Sequence, residues 1–225
     1  MSSHPRHTHR TRIALLLLIA TLLLSGCVGK GGTPSTPSDT QTRDKVDGIV
    51  TSFNQADPDS FNRVEEIVDI GEPAIPVLLE MLDDKDLSKR WAAIYALSRI
   101  VYDVDEERRR EVLPSIRDAF NDPNPTIRQT AAGTAVAIGD KDGIPILIEY
   151  LRSDDSRLLA GERVSLSSYS IQVLRHYTHQ DFGYDLQKSM GEREDSIKQW
   201  ESWWDQNRDT LVWDLSIGEY GGYRT

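Results

Sequence analysis

The sequence predicts an all-α fold, a short solenoid of three to four helical hairpins stacked side by side, closed at about residues 180–225 by a tryptophan-rich C-terminal cap. Three observations predict it. The body of the chain repeats itself at the length of one hairpin, its apolar residues recur at helical spacing, and acidic turn residues separate the segments.

Residues 1–26 stand apart from that stack. Arg6, Arg10 and Arg12 precede Ile13–Leu24, a run in which only Thr21 is polar. Twelve residues are too few to cross about 30 Å of hydrocarbon as a helix, so the segment reads as an export signal. The next residues, Leu24-Ser25-Gly26-Cys27, contain the only cysteine of the chain. They resemble the lipobox of bacterial lipoproteins. That resemblance implies cleavage before Cys27, lipid attachment at its sulfur, and a protein anchored in the cell membrane or the outer membrane, facing the extracytoplasmic side. Val28 follows the cysteine where such families place Asp to retain a protein in the inner membrane, so outer-membrane sorting is permitted.

A lipidated Cys27 leaves no thiol for disulfides, nucleophilic catalysis or cysteine-based zinc sites. Loss of residues 1–26 removes three arginines and no acid, so the net charge of −10 becomes −13. Such a chain is no partner for nucleic acid. Residues 27–42, rich in Gly, Ser, Thr and Pro, read as the lipidated cysteine and a flexible tether reaching about 50 Å when extended. The folded domain is expected over residues 43–225, beginning with a capping helix around Arg43–Asn54.

Three stretches then align: Ile75–Leu82, Leu113–Phe120 and Ile144–Leu151, with Pro76, Pro114 and Pro145 spaced 38 and 31 residues apart. The first and third carry apolar residues at i, i+3, i+4 and i+7, one buried helical face; in the second, Arg117 interrupts the stripe. Each proline is expected in the first helical turn, where its missing N–H loses no bond. Acidic turns follow at Asp83–Asp86, Asn121–Pro125 and Ser153–Asp155, able to cap a second helix. Those second helices, Arg90–Ile100 and Arg128–Gly139, share an Arg, small residues three positions on, and an Ile at +10.

Residues 122–151, DPNPTIRQTAAGTAVAIGDKDGIPILIEYL, resemble a HEAT repeat of the short type also found in phycobilisome lyases. Weaker copies cover about residues 58–120 and 154–179. The third departs from the pattern, with Ser167 and Ser170 where Arg and Ala are expected and Leu158–Leu166 reading as an insertion. The resemblance implies antiparallel helix pairs in a right-handed superhelix, a protein–protein scaffold function, and second helices lining a concave side. On that ground Arg90, Tyr95, Arg99 and Gln129 are the candidate contact residues.

Other groups have a plainer reading. Trp200, Trp203 and Trp204 fall at i, i+3 and i+4 on a helix expected over about 193–207, which suits a cap. His176 and His179, with Asp181 and Asp185 nearby, lack the Glu of H-E-x-x-H and lie where a helix should end, so no metal is expected. Asp105–Glu111 reads as a solvated helix start with pairs such as Glu106 and Arg110. No phosphate loop, nucleophile elbow or EF-hand spacing follows residue 26, so no cofactor and no enzyme activity are expected. Two alternatives stay open: a lyase-like enzyme acting on a tetrapyrrole, and a glycan-binding module using the C-terminal tryptophans.

Overall fold

The computed structural model describes residues 39–54, 57–159, 162–216 and 218–223. Helices there alternate between two layers. The first layer holds α1 (Asp39–Thr51), α3 (Ile75–Leu82), α5 (Glu106–Asp118), α7 (Gly143–Tyr150) and α9 (Met190–Asn207); the second holds α2 (Pro58–Val68), α4 (Leu87–Ile100), α6 (Pro125–Ala137) and α8 (Leu166–Thr178). Within the second layer α2 packs on α4, α4 on α6, and α6 on α8, while each second-layer helix also packs on its hairpin partner. The expected stack of helical pairs is therefore present.

The turns show why the chain folds back where it does. Asp84, Asp122 and Ser153 each accept a hydrogen bond from the main-chain N–H two residues on, at 2.8, 2.7 and 3.1 Å. In the first two repeats that residue, Asp86 or Asn124, then caps the following helix through Ser88 N or Thr126 N, at 2.8 and 2.9 Å. Two linked side-chain turns thus close the first helix and open the second. Gly139, at φ 93°, ends α6 in the left-handed region, which costs glycine nothing.

Three features differ from the sequence reading. Pro114 is not in a first turn: α5 begins at Glu106, with Asp105 capping it through Arg108 N at 2.9 Å, so the proline lies inside the helix. The charged run supplies two helical turns that apolar alignment passes over, and Arg110 does pair with Glu106. Next, α1 begins at Asp39, ahead of the expected boundary at 43. Thr42, Val46 and Val50, at intervals of four, form its buried stripe, so hydrophobic contact extends the helix into what composition marks as tether. Last, the described chain contains two antiparallel β-hairpins. One, β1 (Ser156–Leu159) with β2 (Glu162–Ser165), occupies the expected insertion; the other, β3 (Leu211–Asp214) with β4 (Glu219–Tyr223), lies in the cap. β4 packs against α8, where the next second-layer helix would stand.

The core divides at α6. Ile127, Ala131 and Ala135 join the cluster built on α1–α5, whereas Ala132 and Val136 join the cluster shared with α7–α9 and the terminal hairpin. Nearly every residue of α6 is buried, Thr130 and Thr134 included, and both threonine hydroxyls are satisfied by the carbonyl four residues back at 2.8 Å. Small side chains let α7 come so close that a Cβ on Gly143 would stand 2.3 Å from the Ala132 carbonyl oxygen. The cap closes the stack with Trp200, fully buried, and Trp203, each ring set edge-on to its neighbour: Phe182 on Trp200 at 4.9 Å and Trp200 on Trp203 at 5.7 Å. Arg152 ties α9 to α7 through Glu194 at 2.9 Å and Glu201 at 2.6 Å.

Candidate functional site: the second-helix face and the adjoining cleft

The four residues expected to line the second-helix face hold different positions. Gln129 is completely buried; its amide donates to the Leu166 carbonyl at 2.5 Å and to Ser170 Oγ at 2.8 Å, which fastens α6 to α8. It is not an exposed contact residue, because the serines of the atypical third repeat leave room for it to reach across. Arg90 is also largely enclosed. Its Nε donates to Asp122 at 2.7 Å and its Nη1 to the carbonyls of Asp84 and Lys85, so it bolts one acidic turn to the next. Tyr95 and Arg99 remain at the surface. Both donate to Glu65 Oε1 of α2, at 3.4 and 3.0 Å. The Tyr95 ring stacks on Trp91 at 5.2 Å, which stacks on Phe53 at 5.1 Å. Burial, and then the Glu65 charge, push the Tyr95 hydroxyl above its usual pKa.

Further aromatic residues extend this face. Tyr102 lies two helical turns beyond Tyr95, is 43% exposed, and shares a hydrogen bond of 3.2 Å with the Tyr177 hydroxyl of α8. The pair spans the buried, small-residue helix α6. Tyr169, two turns before Tyr177, lies over Gly133 of α6. Tyr177 meets His176 edge-on at 4.6 Å and Trp213 of β3 at 6.0 Å, and Trp213 meets Tyr220 of β4 at 4.9 Å. A ribbon of rings therefore runs over α4 and α8 to the terminal hairpin. Burial raises the pKa of Tyr177 and Tyr220, and a phenol is neutral over the physiological range even unshifted, so the hydroxyls of the ribbon act as neutral donors and acceptors. Spacings of seven (Tyr95, Tyr102) and eight (Tyr169, Tyr177) were the signal for this face; the inserted hairpin hides it by shifting the third repeat out of register.

Trp213 also borders a cleft of about 510 Å³. One wall is a face of α5 bearing Arg109, Leu113 and Arg117. The floor is the α6–α7 turn, Ile138–Asp142, and the opposite wall is β3 with Tyr220 and Leu215. Arg117 is held there by Asp140 at 2.7 Å and Asp142 at 3.1 Å, so the residue that interrupts the apolar stripe of α5 serves the next turn. Arg109 donates to the carbonyls of Val101 at 2.9 Å and Tyr102 at 2.7 Å, which closes the C-terminus of α4.

The two histidines point to separate tasks. His176 packs on Tyr177, while His179, in the left-handed conformation that ends α8, bonds Glu219 of β4. Among the described residues no group of three or more His, Cys, Asp or Glu side chains is placed to hold a metal ion. No described helix is long and apolar enough to cross a membrane. Cys27 and the leader before it lie outside the described residues.

Comparison with known families agrees with this architecture. Residues 74–104 match the model of the HEAT repeat, and residues 103–167 match a second model, HEAT repeats. Neither the curated proteins nor the solved structures gave a match. HEAT repeats commonly mediate protein–protein interaction. The two matches cover α3 through the first hairpin, where the paired helices and their linked acidic turns recur, and residues 74–167 of the chain are HEAT repeats.

Proposed function

We propose that this is an exported, lipid-anchored scaffold that holds a protein partner on its second-helix face. The ribbon formed by Tyr95, Tyr102, Tyr177 and Trp213 carries the reading. Tyrosine and tryptophan are enriched where proteins bind one another, because each offers a broad apolar ring, a polar tip and little conformational entropy to lose. Without residues 1–26 the chain has a net charge of −13, yet beside Tyr95 the charges of Arg99 and Glu65 neutralise each other. A solvated surface has no need of such a strip.

Anchoring follows from Leu24–Cys27. Two or three acyl chains at about 0.8 kcal/mol per buried CH₂ hold a protein firmly, whereas one holds it marginally. Residues from Cys27 to the start of α1 then serve as a tether between lipid and scaffold.

Two variants test the reading. Cys27→Ala shifts the protein from the membrane fraction to the soluble fraction; unchanged fractionation refutes the anchor. Affinity capture from intact membranes retains a protein with wild type and loses it with Tyr102→Glu. Identical captured proteins for both refute the ribbon as the docking surface.

A further inference from the structure

We propose that the tyrosine ribbon receives a proline-rich segment of the protein partner in the polyproline II conformation, flanked by a lysine or arginine. This names the partner's chemistry at the second-helix face and rests on the scaffold reading. The build of the ribbon selects the mode of binding. Tyr95 and Tyr102 stand on α4 and the turn that ends it, and Tyr177 stands on α8, so a segment crossing them meets side chains and no main-chain edge to extend. An amphipathic helix, at least about 10 Å across, needs an apolar trough between two helices. The trough over α6 is roofed: Tyr169 lies on Gly133, and the hydroxyls of Tyr102 and Tyr177 meet across it at 3.2 Å. Aromatic rows with polar tips suit the remaining mode, in which prolines pack on rings and the segment is stiff before it binds.

Spacing, hydrogen bonding and charge agree on this occupant. Helical hydrogen bonding continues past Ile100, with Val101 N on Leu97 O at 3.1 Å, so Tyr95 and Tyr102 lie two turns apart, about 10 Å. Three residues of a polyproline II helix advance about 9 Å, so the two prolines of P-x-x-P, which share a face, reach both rings. That backbone makes no internal hydrogen bonds, and its carbonyls take outside donors. Two hydroxyls that share one hydrogen bond keep a second hydrogen to give, and the Tyr102–Tyr177 pair offers it at the surface, where Tyr102 is 43% exposed. Beside the rings, Arg99 is answered by Glu65 at 3.0 Å, and Arg109 is spent on the carbonyls of Val101 and Tyr102. Asp103, exposed and next to Tyr102, has a carboxylate with no hydrogen bond or ion pair among the described residues. A lysine or arginine beside the prolines complements it, and the net charge of −13 without residues 1–26 draws such a segment in from a distance.

The test selects random 12-residue peptides displayed on phage against the full-length lipidated protein in nanodiscs, after empty nanodiscs have removed lipid binders. The strongest peptides are then synthesised with a fluorophore and titrated by anisotropy. Selected peptides should carry P-x-x-P with a nearby lysine or arginine, and alanine in place of both prolines should weaken binding by about 10-fold or more. Tyr102→Phe combined with Tyr177→Phe keeps the rings and removes the donor, so it should weaken binding by about 5-fold, the worth of one hydrogen bond, with the helical circular dichroism unchanged. Asp103→Asn should weaken the basic peptides and flatten their salt dependence. The inference is overturned if no peptide is enriched, if the winners lack P-x-x-P or tolerate alanine, or if both protein variants bind them as tightly as wild type. Should that happen while Tyr102→Glu still abolishes partner capture, the scaffold reading stands and only the proline-rich occupant fails.

Discussion

Gly143→Ala is expected to destabilise the fold even though alanine is the better helix former. Gly143 opens α7, and a Cβ there would sit 2.3 Å from the Ala132 carbonyl oxygen and 3.0 Å from the Val136 Cγ2. Ordinary contact begins at 3.4 Å, so the main chain of α6 or α7 has to retreat by about 1 Å. The obstacle is a backbone atom of a helix fixed on both sides, and it cannot turn away. Overpacking of this kind costs about 1–3 kcal/mol, against at most about 1 kcal/mol gained in helix propensity. A net loss of about 1 kcal/mol lowers the melting temperature by about 2–4 °C in a domain of this size. Gly48→Ala is the matched control: Gly48 lies within α1 with nothing inside 4 Å of its Cβ position, so the same substitution should raise the melting temperature by about 2–4 °C. Thermal unfolding of the full chain followed by circular dichroism reads both. If Gly143→Ala melts at or above wild type, the close α6–α7 approach is wrong.

Asp122→Ala removes the partner of Arg90 from a site where the two side chains are 6% and 13% exposed, and it also takes the acceptor from Asn124 N. A loss of about 3 kcal/mol is expected by chemical denaturation, and a change under 1 kcal/mol would contradict the role given to that turn. Trp200→Ala empties the centre of the cap and should cost about 3–5 kcal/mol, with urea unfolding as the measure. Acid should destabilise the protein in a defined window. The Arg175 hydrogen bond holds Asp181 below its usual pKa, Ser189 does the same for Glu192, and Arg152 for Glu194. Their folded pKa values lie below the unfolded ones, so this stability is complete above about pH 5 and is lost as pH falls through the lower folded values. Arg152→Met should flatten that decline, and an unchanged acid profile would count against the α7–α9 tie.

Much of the fold was legible because its repeat unit is written in residue types whose physics is local. Asp and Asn at the turns, proline near helix starts and apolar residues at helical intervals each specify a boundary or a face without reference to the rest of the chain. The misreadings arise where a residue's role depends on a distant one. Gln129 resembles a surface residue until Ser170 of α8 supplies its partner 41 positions away. Arg117 reads as a fault in α5 until the next turn brings Asp140 to it. Pro114 looked like a helix start because the charged turns before it carry no apolar stripe. The terminal β-hairpin has no repeat to align with, and its strands are short. Its place against α8 is settled by the need to cover a helix face that no other described helix pair covers.

The central claim is that the second-helix face holds a partner, and site-specific photo-crosslinking in intact membranes tests it most directly. A photoreactive amino acid at Tyr102 samples the ribbon, and one at Lys198 samples the exposed side of the capping helix α9. The account predicts a discrete protein adduct from position 102 and none from position 198. An adduct from position 198 alone, or no adduct from position 102, would contradict it.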